Sequence, residues 1–107
     1  MMPARKSTTS VKFHAWEGYT QPGMLEEIAA FVNSVGQAYN IGDDVLYRVQ
    51  MAVCEASANS WEHSYRGQRG RLRLEMERRR GYLEVRLTDW GRPFKLREAP
   101  ALAWGAT

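Results

Sequence analysis

A helical stretch near the middle of the chain carries polar residues that are spaced to lie on one face. Glu55 and Asn59 are four residues apart, and Glu62 and His63 follow seven and eight positions after Glu55. Residues three or four apart are neighbours on an α-helix. By itself the pattern fits a solvated stripe as well as a site, because most polar helix faces simply contact water.

Two apolar stripes flank this polar face and favour a site. One contains Val45, Leu46, Val49, Ala52, Val53 and Ala56, and the other, nearly opposite, contains Tyr47, Met51, Cys54, Ala58 and Trp61. A helix that is apolar on two sides packs on two sides. We therefore expect Glu55 and Asn59 to face a crevice between packed elements. Because a carboxylate or amide buried without a partner costs a few kcal/mol, a protein group, water or a ligand must satisfy them.

A second polar stretch, Asp89-Trp90-Gly91-Arg92-Pro93-Phe94, follows a run of alternating residues near the end of the chain. An acidic residue at a strand end, followed by glycine and proline, is usually only a turn. As part of a site, the Asp89 carboxylate could accept a hydrogen bond from an amino group. Gly91, which has no Cβ, would let a ligand approach the backbone closely.

Alternating patterns predict the strands. A first strand is expected over 10–17, with Val11, Phe13 and Ala15 on one side and His14 on the outward side. Apolar residues alternate again on both sides of the turn at 78–81 and predict a β-hairpin. One face of the hairpin is apolar and the other is charged, and opposite charges on the latter can pair across the strands.

Helical spacing predicts two helices between the strand and the hairpin. Leu25, Ile28, Val32, Val35 and Tyr39 recur with a helical period, so the first helix is expected over 23–39. The second helix, expected over 44–63, carries the polar face described above. Asp43 or Asp44 is a suitable N-cap for it, because a short acidic side chain can accept from the first backbone N–H groups.

Composition places the chain among single-domain globular proteins. It has 107 residues, of which 44% are hydrophobic and 25% charged, so we expect a loose polar terminus over 1–9 and one domain over 10–107. The single cysteine, Cys54, excludes an internal disulfide framework and fits a reducing compartment. No apolar run approaches the roughly 20 residues of a membrane span. These features predict a cytoplasmic protein without a membrane partner.

The charge balance is mildly basic. A net charge of +3 suits nucleic acid or another anion such as a phosphate and does not choose between them. The arginine run at 78–80 has no interleaved aromatic residues that could stack on bases. A solvated hairpin turn is the simpler interpretation, and we expect no direct contact with nucleic acid.

The two polar stretches, taken together and in order, resemble a known family. Glu55-Ala56-x-x-Asn59-x-x-x-His63-x-Tyr65, a hairpin, and then Asp89-x-Gly91-x-Pro93-Phe94 look like the ATPase domain shared by gyrase, histidine kinases and their relatives. The His and Tyr after the Asn, with the helix-helix-hairpin layout, most resemble its anti-sigma-factor serine kinase branch. The likeness covers roughly residues 10–94. The order and separation of the two motifs make the pair more specific than either one alone.

This resemblance implies a fold and a set of partners. The family fold is an α+β two-layer sandwich in which helices cover one face of a mixed β-sheet. The ligands implied are ATP and Mg²⁺. In the anti-sigma branch the protein substrate is a serine of a small anti-sigma antagonist, and the kinase also binds a sigma factor, commonly as a homodimer.

The resemblance also implies roles for individual residues. Asn59 would ligate Mg²⁺, which takes oxygen ligands and bridges ATP phosphates, and Glu55 would be the general base that draws the proton from an attacking serine hydroxyl or water. Asp89 would accept from the adenine amino group, while Gly91 would give the ring room. The further nucleotide-binding positions that match the family are His63, near the phosphate end, and Pro93.

One part of the family pattern does not follow in this sequence. The family continues with a lid over the phosphates and a second glycine motif, Gly-x-Gly-Leu, at a helix N-terminus, where backbone N–H groups bind phosphate. Here Gly105 stands alone. A truncated product, a natural short form without catalysis, and a site completed by a partner chain all stay open. The alternative function is therefore a non-catalytic protein-interaction module on the same fold.

Overall fold

The computed structural model describes residues 13–91, which form a sheet covered on one face by two helices. Their order is β1 (Phe13–Tyr19), α1 (Met24–Ala38), α2 (Asp43–Asn59), a π-helical turn (Ser60–Ser64), β2 (Arg71–Arg79) and β3 (Tyr82–Asp89). The sheet order is β1-β2-β3, and both neighbouring pairs are antiparallel. The predicted α+β two-layer sandwich is confirmed. A mixed sheet also contains parallel pairs, and none of these three strands forms one.

The predicted helices and hairpin are confirmed with shifted ends. The polar terminus predicted over 1–9, and the positions Pro93 and Gly105, lie outside the described residues. The N-cap prediction was wrong, because Gly42 caps α2, while Asp43 and Asp44 occupy its first turn. Acidic side chains there still interact favourably with the helix dipole. None of the helices described between residues 13 and 91 is long and apolar enough to cross a membrane.

The core lies between the inner face of the sheet and the facing stripes of the helices. Leu72, Leu74 and Met76 of β2 are fully buried against Ile28 of α1 and Val49 of α2. The helices also pack closely on each other: the side-chain amide of Gln50 donates to the Ala29 carbonyl at 3.1 Å. The sheet and α1 thus hold α2 along one side of its length.

The prediction for β1 was wrong about which side of the strand faces the core. Trp16 lies opposite Leu74 and His14 opposite Met76, and directly opposite residues of an antiparallel pair share a face. His14 therefore lies on the helix-covered face, where its ring meets the Tyr39 ring edge-on at 5.2 Å between centroids. Phe13, expected inside, is 45% exposed.

Candidate functional site

The polar face of α2 is only partly sheltered. Glu55 is exposed, and Asn59, the last residue of α2, is half-buried. The crevice predicted for both was wrong for Glu55, because the second apolar stripe is not packed along its length: Tyr47 is 63% and Met51 54% exposed.

The oxygens of this face are open to a ligand. Among residues 13–91, the side chains of Glu55 and Asn59 form no hydrogen bond or ion pair. The same part of the chain has no group of three or more His, Cys, Asp or Glu residues that could enclose a metal. A single amide oxygen fits Mg²⁺ held mainly by substrate phosphates and waters, since Mg²⁺ dehydrates reluctantly and commonly takes few protein ligands.

α2 continues at its C-cap, Ser60, directly into a π-helical turn. The Tyr65 N–H donates to the Ser60 carbonyl at 3.0 Å, five residues back. Three buried polar atoms in this region, Ser57 Oγ, Trp61 Nε1 and Ser64 Oγ, have no partner among the described residues. Buried polar groups are normally paired, and π turns often occur at functional sites. This end of the helix therefore retains hydrogen-bonding capacity beside Asn59.

Tyr65 joins this helix end to the sheet. Its hydroxyl donates to the Arg71 carbonyl at 2.7 Å and accepts from the Trp90 N–H at 2.7 Å. The loop between Tyr65 and β2 is fixed as well, because the Thr20 hydroxyl donates to the Gln68 carbonyl at 2.8 Å and accepts from the Gly70 N–H at 2.7 Å. The structure thus brings the 55–65 stretch and the start of the 89–94 stretch together.

Asp89, the last residue of β3, is half-buried, and its carboxylate has capacity left for a ligand. Its Oδ1 accepts from the Gly91 N–H at 3.3 Å, an Asx-type turn. No ion pair engages it within residues 13–91. An ionised carboxylate has about four acceptor positions, so most of them stay available for a donor.

Gly91 lies directly against the end of the helical segment. A Cβ at this position would be 2.6 Å from the Ser64 carbonyl oxygen and 2.8 Å from the Tyr65 ring. Glycine is thus required here by the approach of the protein's own backbone. That requirement is separate from the room for adenine that the resemblance implies, which stays a prediction.

The other predicted site residues occupy less defined positions. His63 lies in the π turn and is exposed, with its Nε2 3.9 Å from Glu62 Oε1. Pro93 lies outside the described residues. Cys54 is half-buried near the Leu25 carbonyl, and burial raises the pKa of its thiol, helped by the Glu26 charge.

Sequence reasoning missed the hydroxyl of Tyr65 and the buried serines. Tyr65 is part of the sequence motif, but no role was predicted for its side chain. The spacing of the motif does not show that the hydroxyl reaches two strands. Ser57 lies one turn after Val53 on the buried side of α2. A serine at a core position of the helix is the sequence signal that could have indicated a buried polar group here.

Comparisons with known proteins agree with this arrangement. A family model described as histidine kinase-like ATPase domain matches residues 20–104. The match spans both helices, the hairpin and both polar stretches. No curated protein and no solved structure matched the chain.

Proposed function

The chain belongs to the histidine kinase-like ATPase domain family, and from that premise we propose that it is an ATP-binding regulator of the anti-sigma-factor serine kinase type. The observation that carries the proposal is the junction at Tyr65. There, the Trp90 N–H and Gly91, which directly follow Asp89, meet the end of the helical segment that carries Glu55 and Asn59. ATP is the ligand that the family implies.

The adenine end of the ligand is assigned to Asp89. Its half-buried carboxylate keeps acceptor positions for the adenine amino group. Gly91 lets the turn after Asp89 pack directly on the Ser64 carbonyl and the Tyr65 ring, and the room for the adenine ring beside it is part of the proposal. His63 and Pro93 complete the proposed nucleotide positions.

The phosphate end is assigned to α2. Asn59 would hold Mg²⁺ through its side-chain oxygen, and the ion, when bound, neutralises charge on the phosphate oxygens. Glu55, one turn earlier on the same face, takes the proton from the attacking serine hydroxyl or water. Its exposure in the described structure leaves room for a protein substrate to approach.

The branch within the family is proposed from the residues that follow Asn59. His63 and Tyr65, with the helix-helix-hairpin layout, favour the anti-sigma kinases. The protein substrate would then be a serine of an anti-sigma antagonist, the second partner a sigma factor, and the assembly a homodimer in the cytoplasm. We expect no direct binding of nucleic acid.

A second candidate function is a non-catalytic interaction module on the same fold. Two large apolar side chains of α2, Tyr47 and Met51, are exposed and could contact a protein partner. In that case Glu55 would have no proton to accept, and the chain would bind partners without phosphate transfer.

Calorimetric titration with ATP and Mg²⁺ tests nucleotide binding. We expect the wild type to bind and Asp89→Asn to lose about tenfold or more in affinity, because a hydrogen bond to a charged acceptor contributes roughly 1.5–3 kcal/mol. Asp44→Asn, at an exposed position at the start of α2, is the matched control and should bind like the wild type. Absence of binding in both wild type and Asp89→Asn would disprove the proposed function.

A further inference from the structure

Tyr65 ends the 55–65 stretch, and its side chain contacts the segment that follows β3, although the proposed nucleotide contacts do not include it. We propose that Tyr65 is a positioning residue whose hydroxyl holds the segment 89–91 so that Asp89 faces the amino group of the bound base. The inference rests on the proposed function and deepens it, since it concerns how the site selects adenine.

The hydroxyl uses both its donor and its acceptor capacity within the fold. Its proton goes to the Arg71 carbonyl at the start of β2, and a lone pair accepts the N–H of Trp90 directly after β3. Both distances are 2.7 Å, which is typical of well-formed bonds. The two strands are joined at the point where their ladder ends, at the Leu72–Asp89 pair. The position of Trp90 relative to β2 is therefore set by a side chain.

The ring of Tyr65 is held by two glycines. A Cβ at Gly70 would lie 2.3 Å from the ring, and one at Gly91 would lie 2.8 Å from it. Both are far below ordinary van der Waals contact, so no other residue type fits at either place without movement. The ring consequently has little freedom, and the hydroxyl is presented at a fixed point.

A second contact holds the same segment from outside the sheet. The Arg71 guanidinium lies 4.2 Å above the Trp90 ring, a cation–π arrangement. This contact fixes the indole, whereas the Tyr65 hydroxyl fixes the backbone. Asp89 depends on that backbone, because its Oδ1 bonds to the N–H of Gly91. If the Trp90 N–H loses its partner, the turn relaxes and the carboxylate changes direction.

The consequence is a specific effect on base selectivity. A site built to hydrogen-bond an amino group rejects an analogue that lacks it. Inosine triphosphate has a carbonyl oxygen in place of the adenine amino group, so at that position it presents an acceptor to the Asp89 carboxylate instead of a donor, and its own N1–H lies at the neighbouring ring position. A displaced Asp89 would lose the preference for ATP, while contacts to ribose and phosphates would be retained.

The experiment compares the affinities of ATP and inosine triphosphate, each with Mg²⁺, by calorimetry. We expect the wild type to prefer ATP by about tenfold or more, and Tyr65→Phe, which keeps the ring and removes the hydroxyl, to prefer it by about twofold or less. Tyr47→Phe, at an exposed position, is the control and should keep the wild-type ratio. If the Tyr65 hydroxyl had only a structural role, its loss would weaken the binding of both nucleotides equally and leave the ratio of their affinities unchanged.

A second variant displaces the 89–91 segment by changing Gly91 itself. In Gly91→Ala the new Cβ pushes against the Ser64 carbonyl, so the ratio should fall as it does in Tyr65→Phe. This variant decides the question if Tyr65→Phe does not fold. A wild type that binds neither nucleotide overturns the proposed function and this inference with it. A wild type that prefers ATP, with either folded variant retaining that preference, overturns the positioning role alone.

Discussion

Glu55 is the residue on which the choice between enzyme and binding module depends. It lies four residues before Asn59 on α2, is exposed, and has no side-chain partner within the described part of the chain. Nothing in the described packing needs a carboxylate at this position. A charged residue that contributes no contact to the fold is available to a ligand or a reaction.

We predict that Glu55→Gln spares ATP binding and removes turnover. Glutamine keeps the size and polarity of the side chain but cannot take a proton, and a general base contributes about 10²–10⁴-fold to a rate. Phosphate release from ATP and Mg²⁺, with water as the acceptor, should fall by roughly 10²-fold or more, while the dissociation constant for ATP changes little.

Glu27→Gln, an exposed position on α1, is the matched control and should leave phosphate release unchanged. Loss of ATP binding in Glu55→Gln would instead make Glu55 a binding residue. A wild type that binds ATP and transfers its phosphate neither to water nor to a serine of a protein substrate would favour the non-catalytic module.

The outer face of the sheet carries ion pairs within and between the two strands of the hairpin. Glu75 on β2 accepts from Arg86 Nε and Arg73 Nε, each at 3.1 Å. On β3, Glu84 accepts from Arg79 Nε at 2.9 Å. The bonds from Arg86 and then Arg73 lower the pKa of the Glu75 carboxyl below its ordinary value of 4.5, and Arg79 does the same for Glu84.

This pairing predicts a loss of stability in acid. A carboxyl whose pKa is lower in the folded state contributes stability that is fully present above its unfolded pKa and is lost as the pH falls through the folded pKa. We expect the urea midpoint to decrease from about pH 6 to about pH 3. Glu75→Gln should have a lower midpoint than the wild type near neutral pH, and the two should converge in acid.

The exposed Glu27→Gln variant serves as the control for this measurement, because Glu27 has no ion pair among the residues that the structure describes. Its midpoint should follow the wild type at every pH. A constant difference between wild type and Glu75→Gln over the whole range would show that the ion pairs do not titrate with folding.

Two features connect the elements between residues 13 and 91: the core between sheet and helices, and the junction at Tyr65. The buried side chains of β2 belong to the same core cluster as residues of both helices, and Tyr65 joins the end of the helical segment to both strands of the hairpin. Residues of the proposed site thus come from parts of the chain that are distant in sequence, and they coexist only in the folded state. A ligand bound there must stabilise folding.

We predict that ATP with Mg²⁺ raises the free energy of unfolding by about 2.7 kcal/mol when its concentration is a hundred times the dissociation constant. The reason is that the unfolded chain does not bring the segment after β3 to the end of the helical segment. Urea unfolding with and without the nucleotide measures the difference. Asp89→Asn at the same nucleotide concentration should show a much smaller increase, and an equal increase in both proteins would place the binding elsewhere.

Much of the fold and the position of both motifs could be predicted from local pattern. Helical periodicity located α1 and α2, and alternation located the hairpin, since each depends on residues a few positions apart. The pairing of charges across the hairpin followed for the same reason. The roles of Glu55, Asn59, His63, Asp89, Gly91 and Pro93 came from the resemblance and stay predictions.

The sequence by itself determined which segments form helices and strands and which stretches carry polar groups. Only the tertiary structure decided which side of β1 faces the core, because aromatic residues occur on both sides and the partner strand selects one. It also decided that Glu55 is exposed and that Tyr65 bonds to Trp90, 25 residues away. Such contacts depend on chain folding in three dimensions, which local periodicity does not encode.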